Sequence, residues 1–223
     1  MTPDCTIPAG ASPELTCDPP ATYSVLTYPR HQHRWFYCGP ATVQVISNLT
    51  WNYFYSSTNG QSSTTNKYKQ SYISSTWTMT DRDGYTALGN LIDGMNEATV
   101  LPWSGFYAQW NGPTWSEFHN SIITDTWNYE LGLAAGVNPR KTGSNYYLYS
   151  WRNVGPGDYG HYIALYGYSG SAQSTAKAYY DDSSGGYDEV TGEVILGSTG
   201  AFTSDRSYTV CKTMMNRYGN LVW

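Results

Sequence analysis

The sequence contains little charge: only 13% of its 223 residues are Asp, Glu, Lys or Arg, about half the share usual in soluble domains. Its 12 Lys and Arg residues are scattered and its net charge is −5, so no basic stripe is available to neutralise phosphates. Its apolar runs also fall short of the roughly 18 residues that a bilayer span requires. We therefore expect neither nucleic acid nor a membrane as a partner.

Motifs for metal, cofactor or serine chemistry are missing as well. None of the four Cys residues lies in a C-x-x-C motif, and neither G-x-S-x-G nor H-E-x-x-H occurs. Residues 155–160 match G-x-G-x-x-G, but a predicted strand follows them instead of a helix, and Pro156 removes an N–H that phosphate binding would use. His31 and His33 are two residues apart, which would place them on opposite faces of a strand. We expect no cofactor and no metal.

Aromatic residues are abundant instead: 22 Tyr, 9 Trp and 5 Phe make up 16% of the chain. Low charge with so many aromatics excludes intrinsic disorder, and a chain of this length can bury roughly 70% of its unfolded surface. A polar surface built from Ser, Thr, Asn and Tyr is common among extracellular proteins, so we expect a secreted monomer in which Met1 replaces a removed leader. Four Trp residues are candidates to line a substrate groove: Trp35, Trp103, Trp110 and Trp151.

Prolines mark an N-terminal arm, since six of the eleven lie within residues 1–29. We divide the chain into this irregular arm, residues 1–27, and one domain, residues 28–223. Cys5 and Cys17 bracket the arm, and a disulfide bridge between them would stabilise it by about 2–3 kcal/mol through the unfolded state. A bridge between Cys17 and Cys211 is the alternative, and the sequence does not choose between them.

Hydrophobic periodicity predicts helices in the first half of the chain and strands in the second. Helices are expected over 38–49, 67–77 and 86–96, and a further helix begins at a capping box over 114–117. Tyr-rich and β-branched segments then predict strands over 131–137, 145–151, 161–168 and 177–182, followed by a helix over 204–219 and a last strand over 220–223. This segregation predicts an α+β fold in which a buried helix packs against a C-terminal antiparallel sheet.

The segment most informative about chemistry is QHRWFYCGP, residues 32–40. Cys38 opens the predicted helix, where unpaired N–H groups and the helix dipole favour the thiolate, which is the nucleophilic form. Pro40 suits the first helical turn, and Gly39 would allow a substrate to approach the backbone closely. Gln32, six residues upstream of the thiol, offers an amide N–H that could form an oxyanion hole with the backbone N–H of Cys38.

His161 is the candidate base for this thiol. It follows a Gly-rich loop and begins the predicted strand 161–168, a position that is rigid and still accessible. The next strand ends in Asp181 and Asp182, and hairpin pairing would bring that end near the level of His161, where a carboxylate could orient the ring. Because side chains alternate along a strand, only one of the two can face the imidazole, and the residues alone leave the choice open.

The order Gln-x5-Cys-Gly-Pro, then Gly-His opening a hydrophobic strand, then a Tyr-rich strand ending in Asp, resembles the papain-like cysteine peptidases over residues 28–190. The chain is most similar to the bacterial branch that includes the peptidases trimming bacteriocin leaders, which use Cys, His and Asp with an upstream Gln. The resemblance implies a papain-like fold in which Cys38 is the nucleophile and His161 the base. It also implies Gln32 as oxyanion donor and Asp182, which precedes small residues, as the third member of a triad.

The expected function is therefore cleavage of a peptide or protein substrate by a secreted thiol hydrolase, through an acyl-cysteine intermediate. Two alternatives stay open. The same chemistry could serve deamidation, amide transfer or cell-wall peptide cleavage, or the chain could be a non-catalytic, aromatic-rich module that binds glycan or cell wall. The second alternative is disfavoured because a decaying enzyme would tolerate losing any one of the four residues, and all of them are present: Gln32, Cys38, His161 and Asp182.

Overall fold

The described part of the chain is organised around one antiparallel sheet of seven strands. The computed structural model describes residues 19–25, 27, 29–50, 69–80, 85–99, 104–140, 147–197, 202–215 and 220–223. The strands are β1 (Thr22–Ser24), β2 (Gln109–Asn111), β3 (Leu133–Val137), β4 (His161–Ser169), β5 (Lys177–Asp182), β6 (Phe202–Ser207) and β7 (Asn220–Val222). Their order is β2-β7-β3-β4-β5-β6, and β1 pairs with the end of β4 that β3 leaves uncovered.

Helices flank this sheet. Within the described ranges they are α1 (Cys38–Thr50), α2 (Gln70–Tyr72), α3 (Leu88–Ala98), α4 (Trp115–Ile123) and α5 (Tyr208–Met215), and α2 and α4 each continue into a π-helical turn. The predicted capping box at α4 is confirmed, because Thr114 Oγ1 accepts from the Glu117 N–H while the Glu117 carboxylate accepts from the Thr114 N–H. None of these helices is long and apolar enough to cross a membrane.

Side-chain alternation in the central strands builds a hydrophobic core on each face of the sheet. Ile163 and Leu165 of β4 belong to a cluster that includes the apolar side of α4. Ala164, between them, belongs with Ala134 of β3 to a second cluster that includes Val43 of α1 and apolar residues of α3. Because the two Ala side chains are short, α1 can lie close against β3 and β4. This packing buries α1 and fixes its first residue near the start of β4.

The expected mixture of helices and an antiparallel sheet is confirmed, with two corrections to its elements. The strand predicted over 145–151 is wrong over residues 147–151, because Tyr149–Trp151 forms a 3₁₀ turn, and residues 145 and 146 lie outside the described residues. The helix predicted over 204–219 is also wrong in its first part, since Phe202–Ser207 pairs along the whole of β5 before α5 begins. Long-range pairing there overrides a helical pattern. Helices cover both faces of the sheet, and β7 confirms the predicted last strand.

The cysteines and the arm are only partly described. Cys38 and Cys211 are buried free thiols. Cys5 and Cys17 lie outside the described residues, so the bridge between them stays a prediction. Thr22–Ser24, within the segment 1–27 assigned to the arm, forms strand β1 of the central sheet, and the boundary between arm and domain also stays a prediction.

Candidate active site

The position of Cys38 is set by the tip of helix α1. Its side chain is 6% exposed, and its N–H belongs to the first helical turn, where backbone N–H groups lack an intrahelical acceptor. Gly39 follows because a Cβ at that position would collide with the side chain of Thr86. The glycine therefore makes room for the side chain of Thr86, and its role in the approach of a substrate stays a prediction.

His161 lies beside Cys38 at the start of β4. Its Nε2 is 2.7 Å from Asp182 Oδ1, and its side chain also forms a hydrogen bond with the side chain of Cys38. Since Asp182 occupies Nε2, Nδ1 is the ring nitrogen that remains to interact with the thiol. Cys38, His161 and Asp182, three residues widely separated in sequence, thus form one continuous hydrogen-bonded row.

A β-bulge decides which aspartate reaches the imidazole. Near the hairpin turn, β4 and β5 pair in one register, but between Leu165 and Gly167 the register shifts by one residue, so that Leu165 pairs with Tyr180. Asp182 then lies on the same face of the sheet as Tyr180, Leu165 and His161. Asp181 lies on the opposite face, where its carboxylate accepts a hydrogen bond from Thr27.

Three further groups hold the Asp182 carboxylate in place. Its Oδ2 accepts hydrogen bonds from Ser150 Oγ and from Trp151 Nε1 at 3.0 Å, and its Oδ1 accepts from the Ser184 N–H at 2.9 Å. The Trp151 ring also packs against the His161 ring, with centroids 5.3 Å apart. Sequence reasoning missed Ser150 as a partner, because the predicted strand over 145–151 gave no reason to bring it to Asp182.

Burial and charge shift the pKa values of His161 and Asp182 in opposite directions. Burial lowers the pKa of His161, but the charge and hydrogen bond of Asp182, together with Cys38, raise it to about 10. Burial raises the pKa of Asp182, but the charge of His161 and the hydrogen bonds it receives lower it by more, so it lies below its ordinary value. The ring is therefore protonated at neutral pH, the form that stabilises a neighbouring thiolate.

Gln32 borders the same site but uses its amide on the backbone. It is 2% exposed, and its Nε2 donates to the carbonyl oxygens of Arg34 at 3.2 Å and Trp35 at 3.1 Å. Its Oε1 accepts from Ser183 Oγ at 3.4 Å. A substrate oxygen would have to share or replace one of these donor contacts. The oxyanion role of Gln32 stays a prediction.

A cavity of about 270 Å³ opens onto the thiol and the imidazole. Of the Trp residues considered from sequence, Trp35 and Trp151 line it, whereas Trp110 packs against Trp223 and Trp103 lies outside the described residues. The remaining wall comes from aromatic residues, from the loop before β4 and from a short apolar segment after β5: Phe36, Tyr85, Asp158, Tyr159, Gly160, Val194, Ile195 and Leu196. The cavity is large enough to hold one or two amino-acid side chains.

Two His residues upstream of Gln32 share one carboxylate. His33 Nδ1 lies 2.6 Å from Glu189 Oε2 and His31 Nε2 lies 3.5 Å from Glu189 Oε1, so the two rings do not point to opposite sides as expected. Residues 31 and 32 have no regular secondary structure and residues 33 and 34 form a bend, so this segment is not a strand, which explains the difference. Among the described residues, no group of three His, Cys, Asp or Glu side chains is arranged to hold a metal ion.

No protein-family profile matches the chain, and no curated protein matches it in sequence. Among solved structures, it is similar to a recombinant stem bromelain precursor, with 13% identity and a TM-score of 0.38, over 92% of this chain and 70% of that one. It is also similar to the bromelain protease from Ananas comosus in complex with the E64 inhibitor, with 11% identity and a TM-score of 0.39, over 92% and 98% of the two chains.

Proposed function

We propose that this protein is a papain-like thiol peptidase that cleaves peptide bonds through an acyl intermediate on Cys38. The observation that carries the proposal is the hydrogen-bonded row of Cys38, His161 and Asp182 opening onto a cavity. A nucleophile, a base and a group that orients the base are the parts that covalent amide cleavage needs. Nothing in ordinary packing requires a buried imidazole to bridge a thiol and a carboxylate.

The reaction follows from the protonation state of the pair. The Cys38 thiolate attacks the scissile carbonyl carbon, and the carbonyl oxygen becomes an oxyanion facing the N–H of Cys38 at the helix tip. The carbon–nitrogen bond breaks as His161 gives its proton to the leaving amine. Neutral His161 then takes a proton from water, the resulting hydroxide attacks the acyl carbon, and the thiolate leaves. Asp182 holds the ring in orientation and stabilises its positive charge throughout.

Selective alkylation provides the first test, because the chain contains a matched control thiol. Cys211 is also buried and free, but burial raises its pKa to about 12, and its thiol donates to the Arg206 carbonyl oxygen. We expect one equivalent of iodoacetamide near pH 7 to label Cys38 and abolish activity. A Cys211→Ala variant should react and cleave like the wild type, whereas Cys38→Ala should do neither. Labelling of Cys211 alone would overturn the proposal.

A peptide-library digestion read by mass spectrometry tests the bond that is cleaved. Backbone fragments made by the wild type and absent with Cys38→Ala would support the peptidase. A gain of about one mass unit at Gln or Asn would indicate deamidation with the same residues, and cross-linked products would indicate amide transfer. Polysaccharide binding without any of these products would indicate the non-catalytic module.

A further inference from the structure

One buried residue, Thr86, contacts the chain directly after the candidate nucleophile and directly after the candidate base. Its side chain occupies the space beside Gly39 where a Cβ would lie, and its carbonyl oxygen accepts a hydrogen bond from the Tyr162 hydroxyl at 3.1 Å. Gly39 is the residue after Cys38 at the tip of α1. Tyr162 is the residue after His161 at the start of β4. Thr86 therefore lies between the helix that carries the thiol and the strand that carries the imidazole.

The Tyr162 side chain lies on the face of the sheet that α1 covers. It packs against the hydrophobic cluster that includes Val43 of α1 and Ala164 of β4. Burial, and to a smaller extent the charge of Cys38, raise the pKa of Tyr162 above its ordinary value of 10.0. The hydroxyl therefore stays protonated in the neutral range, where it can donate to Thr86.

A chain of threonine hydroxyl groups holds Thr86 from the other side. Thr86 Oγ1 forms a hydrogen bond with Thr80 Oγ1 at 2.5 Å, and Thr80 Oγ1 forms another with Thr78 Oγ1 at 2.8 Å. Thr78 Oγ1 also donates to the carbonyl oxygen of Ile73, the first residue of the π-helical turn that follows α2. Because Thr78 and Thr86 are both buried, this chain of hydrogen bonds resists any movement of Thr86 away from Gly39.

The backbone just before Thr86 is strained. Tyr85 has a left-handed conformation with φ at +61°, which is costly for a residue that carries a Cβ. The Tyr85 side chain is 55% exposed, so burial of its ring does not explain the conformation. The strain accompanies the inward placement of Thr86, which is consistent with a segment whose position matters more than its own stability.

We propose that Thr86 and Tyr162 are positioning residues, which together set the separation between the nucleophilic thiol and the imidazole base. This inference rests on the proposed function and adds two residues that act through the neighbours of the reacting groups. A displacement of about 1 Å at reacting groups can cost about a hundredfold in rate. Packing of Val43 against Ala164 holds α1 to the sheet further along the helix, so loss of the Thr86 contacts should loosen the helix tip without unfolding the domain.

The test measures alkylation of Cys38 by iodoacetamide in a Cys211→Ala background. At about pH 6 a thiol reacts rapidly only when an imidazolium stabilises its thiolate, whereas at about pH 9.5 hydroxide removes the thiol proton directly. Tyr162→Phe keeps the ring but removes the hydroxyl, so it should lower the rate about tenfold at the lower pH and less than about twofold at the higher pH. Tyr168→Phe is the matched control, because it removes a hydroxyl that donates to the Pro20 carbonyl oxygen at 3.0 Å, at the other end of β4. It should leave both rates unchanged.

A series at Thr86 tests the other contact. Thr86→Ala removes the hydroxyl and the methyl group beside Gly39, and it should cause the same loss of alkylation at the lower pH as Tyr162→Phe. Thr86→Ser keeps the hydroxyl that bonds to Thr80, and it should restore the rate to within about twofold of the wild type. Combining Thr86→Ala with Tyr162→Phe should cost little more than either change alone, because both act through the same spacer. For a peptide that the wild type cleaves, kcat should fall by the same factor while KM changes little.

The outcomes separate the positioning role from the proposed function. A lower melting temperature with unchanged alkylation at the lower pH, or an equal loss at both pH values, would overturn the positioning role and leave the peptidase in place. Additive losses in the double variant would overturn it as well. Failure of the wild type to cleave any peptide, with the pH-dependent loss intact, would overturn the peptidase and still support the positioning of thiol and imidazole. Slow alkylation of wild-type Cys38 at the lower pH would overturn both.

Discussion

Replacing Asp182 with Asn should lower the pKa of His161 from about 10 to below its ordinary value of 6.5. The structure gives the magnitude, because the two side chains are 2.7 Å apart and almost fully buried, so water screens their attraction weakly. A rise from 6.5 to about 10 stabilises the protonated ring by about 5 kcal/mol, at about 1.4 kcal/mol for each tenfold change; the charge and hydrogen bond of Asp182 are the leading causes of this rise, and Cys38 also contributes to it. Asn keeps an oxygen for the hydrogen bond but removes the charge, which leaves burial as the dominant influence.

The direction in which the stability of the fold changes with pH follows from the pKa shifts of His161 and Asp182. Because the folded pKa of His161 lies above its unfolded value, the stabilisation is complete below pH 6.5 and is lost as the pH rises towards about 10. For Asp182, whose folded pKa is lowered, the stabilisation is present above its ordinary value near 3.8 and is lost as the pH falls below it. The pair therefore stabilises the fold most between about pH 4 and pH 6.5.

The measurement is a histidine-ring NMR titration combined with urea unfolding from pH 5 to pH 10. Both are done in a Cys38→Ser background, so that no thiol at the site exchanges protons. With Asp182 present, we expect one His to titrate well above 6.5 and the unfolding free energy to fall by up to about 1.4 kcal/mol per pH unit above pH 6.5. Asp182→Asn should abolish both effects, and Asp181→Asn, the adjacent control on the other face, should abolish neither. A His161 that titrates at or below 6.5 with Asp182 intact would refute the reasoning.

Three further predictions concern neighbouring groups. Trp151→Phe keeps an aromatic ring but removes the N–H that donates a hydrogen bond to the Asp182 carboxylate. If the proposed peptidase function holds, kcat should fall about tenfold while KM changes little, as measured by steady-state cleavage. Gly39→Ala should lower the unfolding free energy by about 1–3 kcal/mol, because the added Cβ would clash with Thr86. In the same urea titration, Gly89→Ala should be neutral or stabilising, because a Cβ at that position meets nothing within 4 Å. Thr114→Ala removes the capping box of α4 and should lower the melting temperature, at a cost of about 1 kcal/mol.

Local patterns were sufficient to predict the elements that carry the candidate site. The helix expected over 38–49 is observed as α1, and the strands expected over 161–168 and 177–182 are observed as β4 and β5. Each of these segments combines a clear hydrophobic period with a start or stop signal, such as Pro40 in the first turn of α1. In these segments the local preference for helix or strand agrees with the tertiary packing, so the sequence alone was sufficient to predict their secondary structure.

Predictions failed where tertiary contacts outweigh local preference. The segment 204–207 has a helical pattern with the residues that follow it, but it is drawn into pairing with β5. The Tyr-rich stretch before Trp151 resembles a strand, yet its end turns inward because Ser150 and Trp151 donate hydrogen bonds to a buried carboxylate. A donor to a residue some thirty positions away leaves no periodic signal in the sequence, so this part of the site was not predictable.

The choice between the two aspartates shows how one irregular residue decides the chemistry that a hairpin can support. Had β4 and β5 kept the register of Tyr168 with Ala178, Leu165 would have paired with Asp181, and Asp181 would have shared the face of His161. The extra residue at Tyr166 moves the pairing by one and brings Asp182 to that face instead. Gly167, next to Tyr166, is the one local signal that could have marked the bulge, whereas alternation alone named the pair of candidates but not the member. Asp182 is also the aspartate whose oxygens meet Ser150, Trp151 and the Ser184 N–H, so the bulge selects the carboxylate that the surroundings can hold in its charged form.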